Sequence, residues 1–243
     1  MKRDNPEKIV NVLVFSAHAA DYVWRAGGTI AKYSSTGRKV HIVCLSYGEK
    51  GESDTLWQDN QTLEEVKKIR HRESSNAARE LGASIEFLDW GDYPLYVDEK
   101  RMENLVKIIR ERRPEIIITH QKLDPFNLDH EETSRVVVAA AILASAIGVM
   151  RESDAVPRPR IFGYEHHNSD LSKFLPTAIV DVTDSFDAKV RAMNCFETQK
   201  SLIEFYTTRA RSRASQAQRI SQGAKCKYAE AFEGFYPDIK GEL

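Results

Sequence analysis

The chain has 243 residues, 42% of them hydrophobic and 29% charged, with a formal net charge of −1. That length can bury a substantial core, and the near-neutral balance supplies no global field to draw the protein to nucleic acid or anionic lipid. No apolar run approaches the roughly 20 residues needed to cross a bilayer. The charged start Met1-Lys2-Arg3-Asp4 has no apolar signal region, and three scattered cysteines (Cys44, Cys195, Cys226) make no disulfide framework. A cytoplasmic protein with no nucleic-acid or membrane partner is expected.

The first predicted strand covers residues 9–15 and delivers Phe15-Ser16-Ala17-His18-Ala19-Ala20-Asp21 to its C-terminal end, the edge where open α/β sheets build their sites. An imidazole and a carboxylate at this spacing can bind one face of a divalent metal if a third ligand arrives from elsewhere. Taken alone, the segment also fits a turn in which Asp21 caps the helix that follows through residue 35. A second strand spans 40–45. It leads into Ser46-Tyr47-Gly48-Glu49-Lys50-Gly51-Glu52-Ser53, where two glycines permit a tight loop. Glu49 or Glu52 could serve there as a general base, or merely cap a helix.

Helical spacing of Val66, Ile69, Ala77, Ala78 and Leu81 predicts a helix over 63–81, closed by Gly82. A short strand at 85–88, a helix at 102–112 stopped before Pro114, and a strand at 115–120 follow. Just beyond that strand stands Asp129-His130, which offers the third metal ligand and a neighbouring carboxylate to orient it. A long Ala- and Val-rich helix is predicted over 131–150. The alternation of strands and helices implies right-handed βαβ units in a parallel sheet covered on both faces. Residues 160–166 and 178–182 read as later strands, an antiparallel extension, and 186–203 as a helix. Residues 209–227 carry basic side chains and no acidic one, which suits a solvated helix face or an anion-facing rim.

His18, Asp21 and His130 thus form a two-histidine, one-carboxylate set suited to Zn²⁺, with non-haem Fe(II) using similar ligands. His167 closes a strand in Tyr164-Glu165-His166-His167 and could act as an acid or a substrate donor. Arg25, Arg72, Lys122 and Arg211 could each pair a carboxylate or simply be surface charges. His120 and His71 are read as structural, and Trp24, Trp57 and Trp90 as packing.

His18-x-x-Asp21, Gly27-Gly28-Thr29, the Gly-Glu loop, Arg72-Glu73, Leu81-Gly82, Asp129-His130, Asp181-Val182-Thr183-Asp184 and Tyr228-Ala229-Glu230-Ala231-Phe232 together resemble the LmbE/PIG-L family. That family is known mostly for zinc-dependent N-acetylglucosaminide deacetylases. The resemblance runs almost end to end and implies a Rossmann-like α/β three-layer sandwich with a mostly parallel central sheet. A single domain over 1–243 is expected, with a core at about 8–155 and a C-terminal extension at about 160–243 completing the site. Two departures stand out. The family's Ala-His-Pro-Asp-Asp-Glu becomes Ala17-His18-Ala19-Ala20-Asp21-Tyr22, so the base of the deacetylases is replaced by Ala20. Its His-Pro-Asp-His becomes Asn127-Leu128-Asp129-His130, so the assisting histidine is replaced by Asn127.

The 4-oxalomesaconate hydratase branch of the family has this same pattern, along with Val23-Trp24-Arg25-Ala26-Gly27-Gly28, Cys44-Leu45-Ser46-x-Gly48-Glu49-x-Gly51-Glu52-Ser53, Gly91-Asp92-Tyr93-Pro94 and Asp124-Pro125-x-Asn127-x-Asp129-His130. By resemblance, Zn²⁺ on His18, Asp21 and His130 helps to hold a small oxo-tricarboxylate. Glu49 activates water, His167 assists catalysis, and Arg25, Asn127 and Asp129 contact the substrate. A homo-oligomer is expected from the family. The rivals are a zinc deacetylase with Glu49 or Asp129 as a substitute base, and a ligand-binding module that has lost turnover.

Overall fold

A computed structural model describes residues 11–222, 225–237 and 239. Among the described residues seven strands form one mixed sheet in the order β3-β2-β1-β4-β5-β7-β6. β1 (Val12–Ser16), β2 (Val40–Cys44), β3 (Ser84–Phe87), β4 (Ile116–His120) and β5 (Arg160–Tyr164) run parallel, with Val12 level with both Val40 and Ile116. β7 (Ala229–Gly234) is antiparallel to β5 on one side and to β6 (Ala178–Asp181) on the other. The strands expected to form an antiparallel extension, β5 and β6, instead run in the same direction as β1–β4, and the antiparallel strand is β7, which comes after both in sequence and lies between them in the sheet.

The apolar run 12–15 of β1 is explained by its two covered faces. Val12 and Val14 point into one core with α1 (Asp21–Ser35), α3 (Leu63–Glu80) and α6 (Phe186–Asn194). Leu13 and Phe15 point into the other with α4 (Glu99–Arg112) and α5 (Leu128–Ala144). Each such aliphatic side chain contributes about 1.5–3 kcal/mol on burial, so a strand buried on both sides has no use for polar alternation. The arrangement is the expected three-layer α/β sandwich. Among the described residues no helix is long and apolar enough to cross a membrane, and Cys44, Cys195 and Cys226 are free thiols.

Several boundaries differ from expectation, each for a local reason. α4 starts three residues early because Asp98 caps it, accepting from the Arg101 amide at 2.8 Å. α5 begins at Leu128, with the Asn127 side chain accepting from the Asp129 amide. The helix expected over 186–203 breaks after Asn194, and α7 (Leu202–Ile220) follows. In the break, Phe196 leaves helical geometry and is fully buried, while Thr198 and Gln199 accept from the buried Arg70 of α3. α2 (Asp54–Gln58) is one further short helix after the Gly-Glu loop.

The sheet order reverses between β1 and β4, which opens a crevice at the C-terminal ends of the parallel strands. A second device fixes α1, the helix beneath that crevice. Glu230 of β7 accepts the mid-helix amides of Gly28 and Thr29 at 2.9 and 2.7 Å. Lys189 of α6 pairs with Glu230 at 2.6 Å and donates to the Trp24 carbonyl at 2.8 Å. Gly28 is required there: a Cβ at this position would meet Val182 at 2.8 Å.

Candidate functional site

Four side chains converge at the crevice. His18 lies in the turn after β1, Asp21 opens α1, Glu52 sits in the loop after β2, and His130 lies in the first turn of α5. Their nearest donor atoms all lie within 4.8 Å of one another. His18 Nδ1 is 3.2 Å from Asp21 Oδ2, 3.1 Å from Glu52 Oε1 and 3.3 Å from His130 Nε2. His130 Nε2 is in turn 3.3 Å from Asp21 Oδ1 and 3.9 Å from Glu52 Oε1. The close packing needs Gly48, whose φ of +69° is left-handed and whose Cβ would stand 3.1 Å from the His18 Cβ.

The outer nitrogens of the two imidazoles are each held by a separate carboxylate. Asp129 Oδ2 is 3.2 Å from His18 Nε2, and Asp124 Oδ2 is 2.7 Å from His130 Nδ1. In a neutral ring, a carboxylate behind it favours the tautomer that leaves the inner nitrogen's lone pair free for a cation. Two imidazole nitrogens 3.3 Å apart facing two carboxylates form a donor set for a divalent cation of the zinc type.

The electrostatics agree. Although burial opposes it, the charges of Glu52 and Asp21 hold His18 well above its ordinary pKa, so the cradle draws positive charge to its centre. Burial would raise Glu52, yet His18 brings it down to about 2. Asp21 is likewise held well below the usual range, against burial, chiefly by Arg25. Asp124 stays near 2 because the hydrogen bond to His130 outweighs its burial. His120 stacks on His130 with ring centroids 4.1 Å apart. Burial and the neighbouring His130 push its pKa down to about 3. It accepts from the Ala17 amide through Nε2 at 3.0 Å, so it serves as a neutral wall of the site.

The sequence-predicted metal ligands His18, Asp21 and His130 are thus brought together, with Glu52 beside them. Glu49 lies on the same loop but outside this cluster. It is 2% exposed, and its Oε2 accepts from the Tyr47 amide at 3.1 Å. Burial, with the charge of Asp92 adding to it, raises its pKa. Asp92 fixes the loop by accepting from the amides of Lys50 and Gly51. Arg25 is not an open cation: it is 5% exposed and its guanidinium pairs with Asp21. Asp129 is equally engaged, since besides His18 it accepts the amides of Tyr93 and Leu95 at 2.9 and 2.8 Å. Asn127 caps α5.

His167 follows β5 and contacts Tyr206 and Phe205 of α7. Arg72 and Lys122 are exposed, and Arg211 lies over Tyr228. Sequence reasoning passed over Asp124, Asp92 and Tyr206 as individuals. The first two lie in quoted motifs, whereas Tyr206 has no local signal.

The switch point of this open α/β sheet thus gathers buried imidazoles and carboxylates that could hold a metal ion, each imidazole backed by a further acid. The model of the PIG-L family, GlcNAc-PI de-N-acetylase, matches residues 13–141, and the chain belongs to this family. It is 37% identical over 244 residues to the 4-oxalmesaconate hydratase of Pseudomonas putida, covering 99% of this chain and 94% of the relative. The crystal structure of GalB, the 4-carboxy-2-hydroxymuconate hydratase from Pseudomonas putida, superimposes with a TM-score of 0.93 at 37% identity, over 97% of this chain and all of that one. The diacetylchitobiose deacetylase of Thermococcus kodakarensis is 29% identical over 199 residues, 79% of this chain and 70% of its own.

Proposed function

We propose that this enzyme is a zinc-dependent hydratase that adds water to the C=C bond of 4-oxalomesaconate, giving 4-carboxy-4-hydroxy-2-oxoadipate, in bacterial gallate and protocatechuate catabolism. The observation that carries the reading is what stands beside the cradle. Ala20 is a fully buried methyl group, and Asn127 is the cap of α5. Neither can move a proton, so the two positions that serve amide hydrolysis in the deacetylases have no acid or base here. The near full-length similarity to a named hydratase supports the same reading.

The donor set fits Zn²⁺, which His18, Asp21 and His130 would hold with Glu52 at hand. When bound, the ion polarises the oxo and carboxylate oxygens of the substrate and offsets the charge that develops on addition. The two loop glutamates divide the remaining work by environment. Glu52, with its pKa lowered to about 2, stays an anion and a poor proton acceptor. Glu49 has a raised pKa, which makes its carboxylate the better base towards water. Asp129 orients His18 and Arg25 orients Asp21. Asn127 remains at the rim as a polar contact for substrate. His167 orients the substrate or assists proton transfer.

The test is to follow the loss of 4-oxalomesaconate absorbance with purified protein, with and without a chelator. Turnover that the chelator abolishes and zinc restores is expected. Glu49→Gln is expected to slow it by about a hundredfold or more. A zinc-loaded protein without turnover ends the substrate claim, and release of amine from N-acetylglucosamine conjugates would establish the deacetylase instead.

A further inference from the structure

His167 is held from α7 by both its backbone and its ring. Tyr206, Arg209 and Arg213 share one helix face. Arg209 donates to the carbonyl of His167 at 2.8 Å, to that of His166 at 3.0 Å and to Glu165 Oε1 at 2.8 Å. Arg213 grips the same Glu165 through Nε at 2.8 Å. The His167 ring stacks on Phe205 (5.1 Å, 29°) and meets Tyr206 edge-on (5.1 Å, 67°). Tyr206 Oη stands 3.3 Å from His167 Nδ1.

The direction of that hydrogen bond follows from the surroundings. Tyr206 is buried and its ring stacks on Trp24. The Lys189 ammonium lies 5.8 Å from its ring centroid, and the charges of Arg25, Asp21, Arg209 and Glu52 all reach its hydroxyl. Among the described residues His167 Nδ1 is the hydrogen-bond partner of Tyr206 Oη, and with the imidazole neutral the phenolic proton goes to Nδ1. The imidazole is neutral: burial, and then the charge of Arg25, bring its pKa down to about 4 against the opposing pull of Glu52 and Asp21, with His130 adding to the lowering. A neutral ring that accepts at Nδ1 carries its proton on Nε2.

We propose that Tyr206 is a positioning residue for hydration, its hydroxyl holding His167 in the tautomer that presents Nε2–H to the substrate. This rests on the reading that His167 takes part in hydrating the oxo-tricarboxylate. The experiment compares Tyr206→Phe, His167→Asn and the double variant in the zinc-loaded, full-length protein. Tyr206→Phe is expected to lower kcat by about 10- to 100-fold, with KM and zinc content unchanged. A histidine ¹⁵N spectrum is expected to show the Nε2–H tautomer of His167 in the parent and its loss in Tyr206→Phe. The double variant is expected to be no slower than His167→Asn. A Tyr206→Phe variant with the parent's kcat and tautomer, beside a slow His167→Asn, overturns the positioning alone. A double variant slower than His167→Asn by the whole Tyr206 factor does the same. A His167→Asn variant as fast as the parent overturns the role of the imidazole itself, and the proposal with it.

Discussion

The two ends of this sheet build their contributions to the crevice in different ways. Around β1, β2 and β4 the candidate groups follow buried strands in the same crossover connection: His18, Asp21 and Asp124 stand within five residues of a strand end, Glu52 lies in the loop after β2, and His130 opens the helix after β4. There the hydrophobic run aims the side chain. Around β5, β6 and β7 the groups are held by partners remote in sequence: His167 by Tyr206 and Arg209, and α1 itself by Glu230 and Lys189. The first region carries the cation cradle; the second keeps it in register. A local motif can specify donors, but only long-range pairing can hold two layers at a fixed separation.

Four measurements would break or sharpen that contrast. Asp21→Ala removes the carboxylate that touches both cradle imidazoles. It is expected to abolish bound zinc, read by elemental analysis, and to cost about a thousandfold in hydration. Retention of both would refute the cradle. Glu230→Ala strips a buried lysine of its partner and is expected to lower stability by about 3–5 kcal/mol in urea unfolding, with zinc lost at the same midpoint. If the cradle keeps its metal while β6 and β7 melt separately, the dependence of one region on the other is gone. Asp124→Asn leaves the ligands in place but loosens His130. Its expected effect is a smaller one, about 10- to 100-fold in zinc affinity by competition with a chromogenic chelator.

The last expected effect, confined to acid pH, is on stability. The folded pKa of His120 is about 3, against about 6.5 unfolded. The unfolded chain therefore takes up this proton first as pH falls. The contribution is intact above about 6.5 and is lost progressively down to about 3. A melting temperature that declines over that window is expected, and His120→Gln should flatten part of the decline. An unchanged slope in the variant would assign the loss to other groups.

What could be read from the sequence follows the same division. β1, β2 and β4 were legible because strands buried on both faces are continuous apolar runs. His18 and Asp21 were legible because they follow the end of β1 directly, and His130 because it opens the helix that follows β4. β7 was not read as a strand because Ala229-Glu230-Ala231-Phe232-Glu233-Gly234 places a charged residue in its interior, and Glu230 makes sense only against the amides of α1 and Lys189. The helix expected over 186–203 was too long because nothing local says that Thr198 and Gln199 must turn to meet Arg70. Arg25 was expected, by resemblance, to contact the substrate; its guanidinium is buried on Asp21.

The position of β7 also bears on how the molecule is made. It lies between β5 and β6 in space but is translated after both, so β6 has no neighbour in the sheet until residues 229–234 have left the ribosome. The clamp on α1 closes at that same moment. A nascent chain stalled shortly before this strand therefore holds His18, Asp21, Glu52 and His130 but lacks the side chain that clamps α1.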